Sequence, residues 1–322
     1  MTRLHFKTDG SFKIVQFTDI HWHDGQAEDI RSLQLMRGIL GQEQPDLIVF
    51  TGDLIHSELT ASPSEAFIQA VSAATGSSIP WTFVFGNHDA EEGITRDALM
   101  MLAKQLPHCL AEAGPSLIHG VGNAFLPIYD SEQSGRIRTA LYLFDSGSKA
   151  PDSIGGAAWI EHSQIEWYLE HSRQLQVTNG GTPVPALAFF HIPLPEYNDL
   201  WDFSIAYGIN GEGVGCPRLN SGLFHAFRSR GDVSGVFVGH DHLNDYWGQL
   251  HGIRLCYGRY TGFNAYGQDG FPRGARIIQL NEDARHFSTW LHLEEGTIVH
   301  EQPKHEPAAQ ALWLQCKKRI VQ

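Results

Sequence analysis

Cysteine is scarce in this chain. Cys109, Cys216, Cys256 and Cys316 are the only four in 322 residues, and no two stand in a Cys-x-x-Cys pair. That excludes a thiolate metal cluster and a dense disulfide framework, and fits reduced thiols in a cytoplasmic protein. Basic charge is short as well: 23 Lys and Arg stand against 36 Asp and Glu, for a formal net charge of −13. Such a surface repels a polyanion, so general nucleic-acid binding is not expected. No apolar run approaches the ~18 residues of a membrane span. The opening residues, Met1 to Lys7, lack the apolar stretch of a secretory signal. The expectation is a soluble, cytoplasmic protein without a membrane partner, and nothing in the sequence gives its oligomeric state.

Apolar residues are plentiful, with 42% hydrophobic and 11% aromatic, enough for a large buried core. At ~150 residues per domain the length allows one domain or two, but no linker or repeat divides it. We read residues 1–298 as one catalytic domain and 299–322 as a C-terminal extension packed on it. The 18 histidines are the unusual count, because several stand at the ends of apolar runs.

Those runs alternate with helical patterns, as in α/β proteins. Strands are expected at Phe12 to Thr18, Leu47 to Thr51, Trp81 to Phe85, Thr139 to Asp145, Pro185 to Phe190 and Val233 to Val238. Helices are expected from about Glu28 to Glu43, from a Ser62/Glu65 capping box to about Thr75, from Arg96 to Gln105, and from Gln164 to Leu175 with Ser163 as cap. Gly252 to Leu293 reads as a mostly antiparallel second sheet, with a Gly-rich loop at Tyr257 to Gly274. Glu306 to Gln322 reads as a terminal helix.

The strand ends carry the chemistry. In order they deliver Asp19-Ile-His21, Gly52-Asp53, Gly86-Asn87-His88-Asp89, His191 and Gly239-His240-Asp241-His242. In α/β sheets, ligands bind beyond the carboxyl ends of strands. Two aspartates, an asparagine and four histidines are oxygen and nitrogen donors suited to Mn, Fe, Co or Zn. If the backbone stays extended, residues i and i+2 point the same way, so Asp19 with His21, and His240 with His242, aim at one place. Each motif alone also has an ordinary reading: Gly-Asp as a turn, His191 as a structural histidine, Asp89 as a local cap. The ordered set is what points to a site.

That set resembles the full signature of the calcineurin-like metallophosphoesterases over about residues 12 to 282. Residues His191 to Tyr197, Val238 to Asp245 and Leu255 to Gly258 are most similar to the branch resembling purple acid phosphatases. The resemblance implies a four-layer α/β/β/α sandwich of two mixed β-sheets flanked by helices. It further implies two divalent transition-metal ions (Mn, Fe, Zn or Co), with Asp19, His21 and His242 on one, Asn87, His191 and His240 on the other, and Asp53 bridging. His88 would protonate the leaving group or steady the transition state, and Asp89 would orient a neighbour. The activity implied is hydrolysis of a phosphomonoester or phosphodiester of small size by metal-activated water.

Two departures narrow this. Purple acid phosphatases have a Tyr ligand three residues after the bridging Asp, where this chain has His56, so a tyrosinate-coloured centre is not expected. The Gly-Asp-x-x-Asp-Arg pattern of Ser/Thr protein phosphatases is missing after Gly52-Asp53. His23, His56, Tyr257 and Arg259 are candidate substrate contacts, with solvated loop side chains as the plainer reading. Competing functions are a scaffold of the same fold without catalysis, a nuclease, which the acidity disfavours, and a metal-dependent hydrolase of another substrate class.

Overall fold

The structure is a computed structural model that describes residues 3–307. Two mixed sheets form its centre. The six-stranded sheet runs Ile298–Val299, Ser288–Leu293, Gly274–Asn281, Ser11–Phe17, Leu47–Thr51, Trp81–Val84. Its last three strands are mutually parallel, and the first four antiparallel. The nine-stranded sheet carries Ile137–Leu143, Ala186–Phe189, Val233–Val238 and Ile253–Tyr257 side by side and parallel at its middle.

Alternation along the strands builds the layers, because successive side chains leave opposite faces. Ile14 and Val49 point into an apolar layer shared with Leu141, Leu187, Phe189 and Phe237 of the other sheet. Their neighbours Val15, Ile48 and Phe50 face outward onto Met36, Ile39 and Leu40 of helix Ala27–Glu43 and Phe67 of helix Pro63–Ala70. On the far side, Tyr142, Val236 and Val238 pack on Ile165 and Tyr168 of helix His162–Thr178 and on Phe227 of helix Leu223–Arg230. The four layers expected of the chain are thus present. Both faces of the central strands are covered, which is why their sequences are continuous apolar runs.

Several local expectations need correction. Ser62 makes no side-chain cap, and the helix it opens breaks at Val71 before resuming as Ser72–Thr75. Helix His162–Thr178 is capped by Glu161, whose N–H donates to Gln164 Oε1 at 2.7 Å, while Ser163 Oγ accepts from the His119 N–H. Gly252 to Leu293 is not one sheet: Ile253–Tyr257 joins the nine-stranded sheet, and Gly274–Asn281 with Ser288–Leu293 joins the other. Lys304–His305 closes the nine-stranded sheet against Ala206–Tyr207. The expected terminal helix lies outside the described residues except for Glu306 and Pro307, which are not helical.

Among the described residues no helix is long and apolar enough to cross a membrane. Cys109, Cys216 and Cys256 are free thiols.

Candidate metal centre

The carboxyl ends of the Ser11–Phe17, Leu47–Thr51, Trp81–Val84, Ala186–Phe189 and Val233–Val238 strands converge on one edge of the sandwich. They do not deliver their side chains from extended backbone. Asp19 (φ 54°), His21 (φ 49°), Asp53 (φ 50°) and His240 (φ 78°) all lie in the left-handed region, so the i, i+2 geometry read from the sequence does not apply. Left-handed non-glycine residues cost about 1–3 kcal/mol each and persist only where the surroundings fix them. Here the loops fix one another: the Asp19 N–H donates to Gly52 O at 3.1 Å and the His21 N–H to Asp53 O at 2.9 Å. Asp and His tolerate this region better than most residues.

The side chains form two adjoining groups, Asp19, His21 and His242, and Asp53, His191 and His240, each with ligand atoms within 4.8 Å of one another. In the first, His21 Nε2 faces His242 Nε2 at 3.1 Å, and Asp19 Oδ1 is 3.6 Å from His242 Nε2. In the second, His191 Nε2 lies 3.0 Å from Asn87 Oδ1, 3.1 Å from Asp53 Oδ2 and 3.2 Å from His240 Nδ1. Asp53 Oδ2 is also 3.6 Å from His21 Nε2, so this carboxylate stands between the groups.

The donor set fits cations. His191 Nδ1 donates to Thr51 O at 2.8 Å and His242 Nδ1 to Tyr266 O at 3.1 Å, which leaves each Nε2 of the neutral ring as a lone pair. Those lone pairs are aimed at other acceptors, an arrangement that a positive charge among them satisfies.

The electrostatics say the same. Burial works against a charged His191 ring, yet Asp53 and Asp19 raise it to about 9. Burial lowers His21 to about 3 and His240 to about 4. Burial opposes ionisation of Asp53, but His191 and His21 hold its carboxyl well below the usual range. Two buried carboxylates draw positive charge to themselves.

A cleft of about 350 Å³ opens over the groups, lined by His23, His56, His88, Asp241 and Tyr266 among others. The His88 N–H donates to Asp53 Oδ1 at 2.8 Å, and its ring Nδ1 lies 2.6 Å from Glu91 Oε2. The His56 ring sits 4.3 Å from that of His88.

Three candidates do not face the cleft. Asp89 is fully buried and accepts N–H groups from Gly86 (2.7 Å), Asp53 (3.1 Å) and Ile55 (3.0 Å), bracing the loop that carries Asp53. Burial, with Asp53 close by, raises its carboxyl to about 6. Tyr257 is buried with its hydroxyl donating to Asp241 Oδ2 at 2.6 Å. Arg259 is buried, donates to Asp245 Oδ2 at 2.5 Å and lies over the Phe271 ring. Neither Tyr257 nor Arg259 lines the cleft.

Sequence reasoning passed over Tyr266, whose ring stacks on His242 at 3.9 Å, and Glu91. Tyr266 lies in a Gly-rich loop without a motif. Glu91 stands three residues after His88 in a turn that carries no motif of its own.

Residues 12–244 match the calcineurin-like phosphoesterase family. The chain belongs to that family. Within it, the branch is the one similar to purple acid phosphatases. The chain is 35% identical to an Arabidopsis thaliana protein named "Probable inactive purple acid phosphatase 29", over 99% of this chain and 90% of that one. It is 34% identical to the Saccharomyces cerevisiae "Phosphatase DCR2", over 90% of this chain and 55% of that one. Among solved structures, a dimetal phosphatase from Danio rerio superposes with a TM-score of 0.62 at 13% identity, covering 90% of this chain and 99% of that one. That likeness is one of fold. For a calcineurin-like phosphoesterase, two adjoining donor groups imply a dinuclear metal site.

Proposed function

We propose that the protein hydrolyses a small phosphomonoester or phosphodiester at this centre. Asp19, His21 and His242 would hold one divalent transition-metal ion (Mn, Fe, Zn or Co), Asn87, His191 and His240 a second, and Asp53 both. When bound, such ions activate water and neutralise charge on the phosphoryl oxygens.

The remaining work falls to the chain. Thr18 Oγ1 and the His240 N–H hold Asp19 by hydrogen bonds of 2.8 and 3.1 Å. Thr51 O and Tyr266 O set the ring orientation of His191 and His242. His88, at the cleft wall, gives a proton to the leaving oxygen as the P–O bond breaks. His23 and His56 line the same wall and contact the substrate.

One observation carries the reading: Asp53 stands between the two donor groups and fixes His88 through its backbone, so metal site and proton donor share one support. The test is turnover of phenyl phosphate and diphenyl phosphate, whose leaving oxygens need a proton, by protein loaded with each metal. His88→Ala should keep its metal and lose most activity, about 100-fold or more. Unimpaired turnover by that variant removes His88 from the mechanism.

The name of the Arabidopsis relative favours a second reading, a fold retained without catalysis. A scaffold has no need of seven donors and a proton donor on one cleft, which supports the enzyme. Bound metal with neither ester hydrolysed would decide for the scaffold.

A further inference from the structure

Outside the two donor groups, His56, His88 and Glu91 form a third cluster of ligand-type side chains. Its geometry is that of a dyad rather than a cation site. Glu91 Oε2 is 2.6 Å from His88 Nδ1 and 3.8 Å from His56 Nε2, while Glu91 Oε1 already faces Lys149 Nζ at 3.4 Å. A cation there would compete with the ammonium group.

The carboxylate is held firmly. Its side chain is 6% exposed against 30% for His88. The Glu91 N–H donates to Ser57 Oγ at 2.8 Å, and Ser57 Oγ donates to His88 O at 2.8 Å. Ser57 therefore ties the backbone of both partners together, and the Asp53 Oδ1 bond fixes His88 from the other side. The ring has one orientation, with Nδ1 on Glu91 and Nε2 left for the cleft.

We propose that Glu91 is the positioning residue for His88, taking the part that a carboxylate must play if that ring is to act as an acid. The inference rests on the reading of His88 as the proton donor. A carboxylate on Nδ1 accepts the hydrogen bond of that nitrogen and fixes the ring plane, so that Nε2 is the nitrogen left to serve the leaving oxygen. In the step, the oxygen of water forms the new P–O bond and releases one proton to solvent. The bond from phosphorus to the leaving oxygen breaks, and that oxygen takes the Nε2 proton. The ring is left neutral with Nδ1–H still on Glu91, and solvent reprotonates it.

A leaving group that needs a proton exposes this role, and one that does not hides it. Glu91→Gln, Glu91→Asp, His88→Ala and the double variant H88A/E91Q are compared with wild type in metal-loaded protein, using 4-nitrophenyl phosphate and phenyl phosphate, or the corresponding diesters. Metal stoichiometry and melting temperature are measured beside kcat and KM. In E91Q, kcat on the phenyl ester is expected to fall about 100-fold and on the 4-nitrophenyl ester only a few-fold. KM and bound metal should hold, and E91D should recover part of the loss. Added to H88A, E91Q should cost nothing more, because both act through one group.

Equal losses on both esters, a further loss in the double variant, or lost metal would overturn the proposal by making Glu91 merely structural. Wild-type activity in E91Q with H88A inactive overturns it while leaving His88 as the donor. A metal-loaded wild type that cleaves neither ester removes this inference together with the proposed function.

Discussion

Histidine and aspartate do two different jobs in this molecule, and the side chain's second partner decides which. His191 and His242 each give Nδ1 to a backbone carbonyl and turn Nε2 inward; His292 gives Nδ1 to Glu43 inside a structural network. Asp53→Asn keeps the shape but removes the charge shared by both groups. Its bound metal should fall below two per chain by mass spectrometry and kcat by more than about 100-fold. Arg259, a candidate substrate contact by sequence, is instead half of a buried ion pair. Arg259→Ala leaves Asp245 unpaired and should cost about 3–5 kcal/mol in denaturant unfolding, with KM unchanged. A raised KM at full stability would return it to the substrate. Sequence could not separate these cases. Gly-Arg-Tyr-Thr-Gly looks like an exposed loop, and only the fold brings Asp245 and Phe271 around its guanidinium.

At the scale of elements, the strands were legible because each is a short apolar run buried on both faces, and because each ends abruptly in polar residues. Which sheet a strand joins was not, since Ile253–Tyr257 and Gly274–Asn281 carry similar patterns and the choice depends on partners far away in sequence. The loops after the strands depend on glycine. Gly52 has φ +93°, and a Cβ there would lie 2.5 Å from His191 Nδ1. Gly52→Ala should therefore cost about 1–3 kcal/mol from backbone strain and weaken metal binding by displacing His191, both readable by calorimetry. The helix Ala27–Glu43 is tied to its sheet through Glu43, which accepts from Lys13 Nζ (3.0 Å), His292 Nδ1 (2.8 Å) and Trp290 Nε1 (3.2 Å). Burial alone would raise this carboxyl, but these partners hold it below its ordinary 4.5. A depressed folded value gives stability that is present above 4.5 and lost as pH falls through the folded value. Glu43→Gln should melt lower than wild type at neutral pH, and the gap should narrow as the pH falls below 4.5 and through the folded value. A gap independent of pH would contradict the account.

The whole molecule is two sheets packed face to face with five strand ends brought to one edge, and the site exists only because the order of motifs along the chain maps onto neighbouring strands. That order is why the donor set could be proposed from sequence alone, whereas Asp89, Tyr257 and Glu91 needed the third dimension to be sorted into brace, support and partner. Because the carboxylates and imidazoles of the centre are buried together, metal should also stabilise the fold: adding chelator should lower the melting temperature, in proportion to the metal removed. The central claim is that the two donor groups and His88 form one hydrolytic site. It is tested most directly by titrating metal-free protein with Mn, Fe, Zn or Co while recording bound metal and turnover of phenyl phosphate and diphenyl phosphate together. The account predicts that turnover of at least one ester appears as the second metal binds and is lost in H88A. Two metals bound with neither ester cleaved, or cleavage that needs no metal, would contradict it.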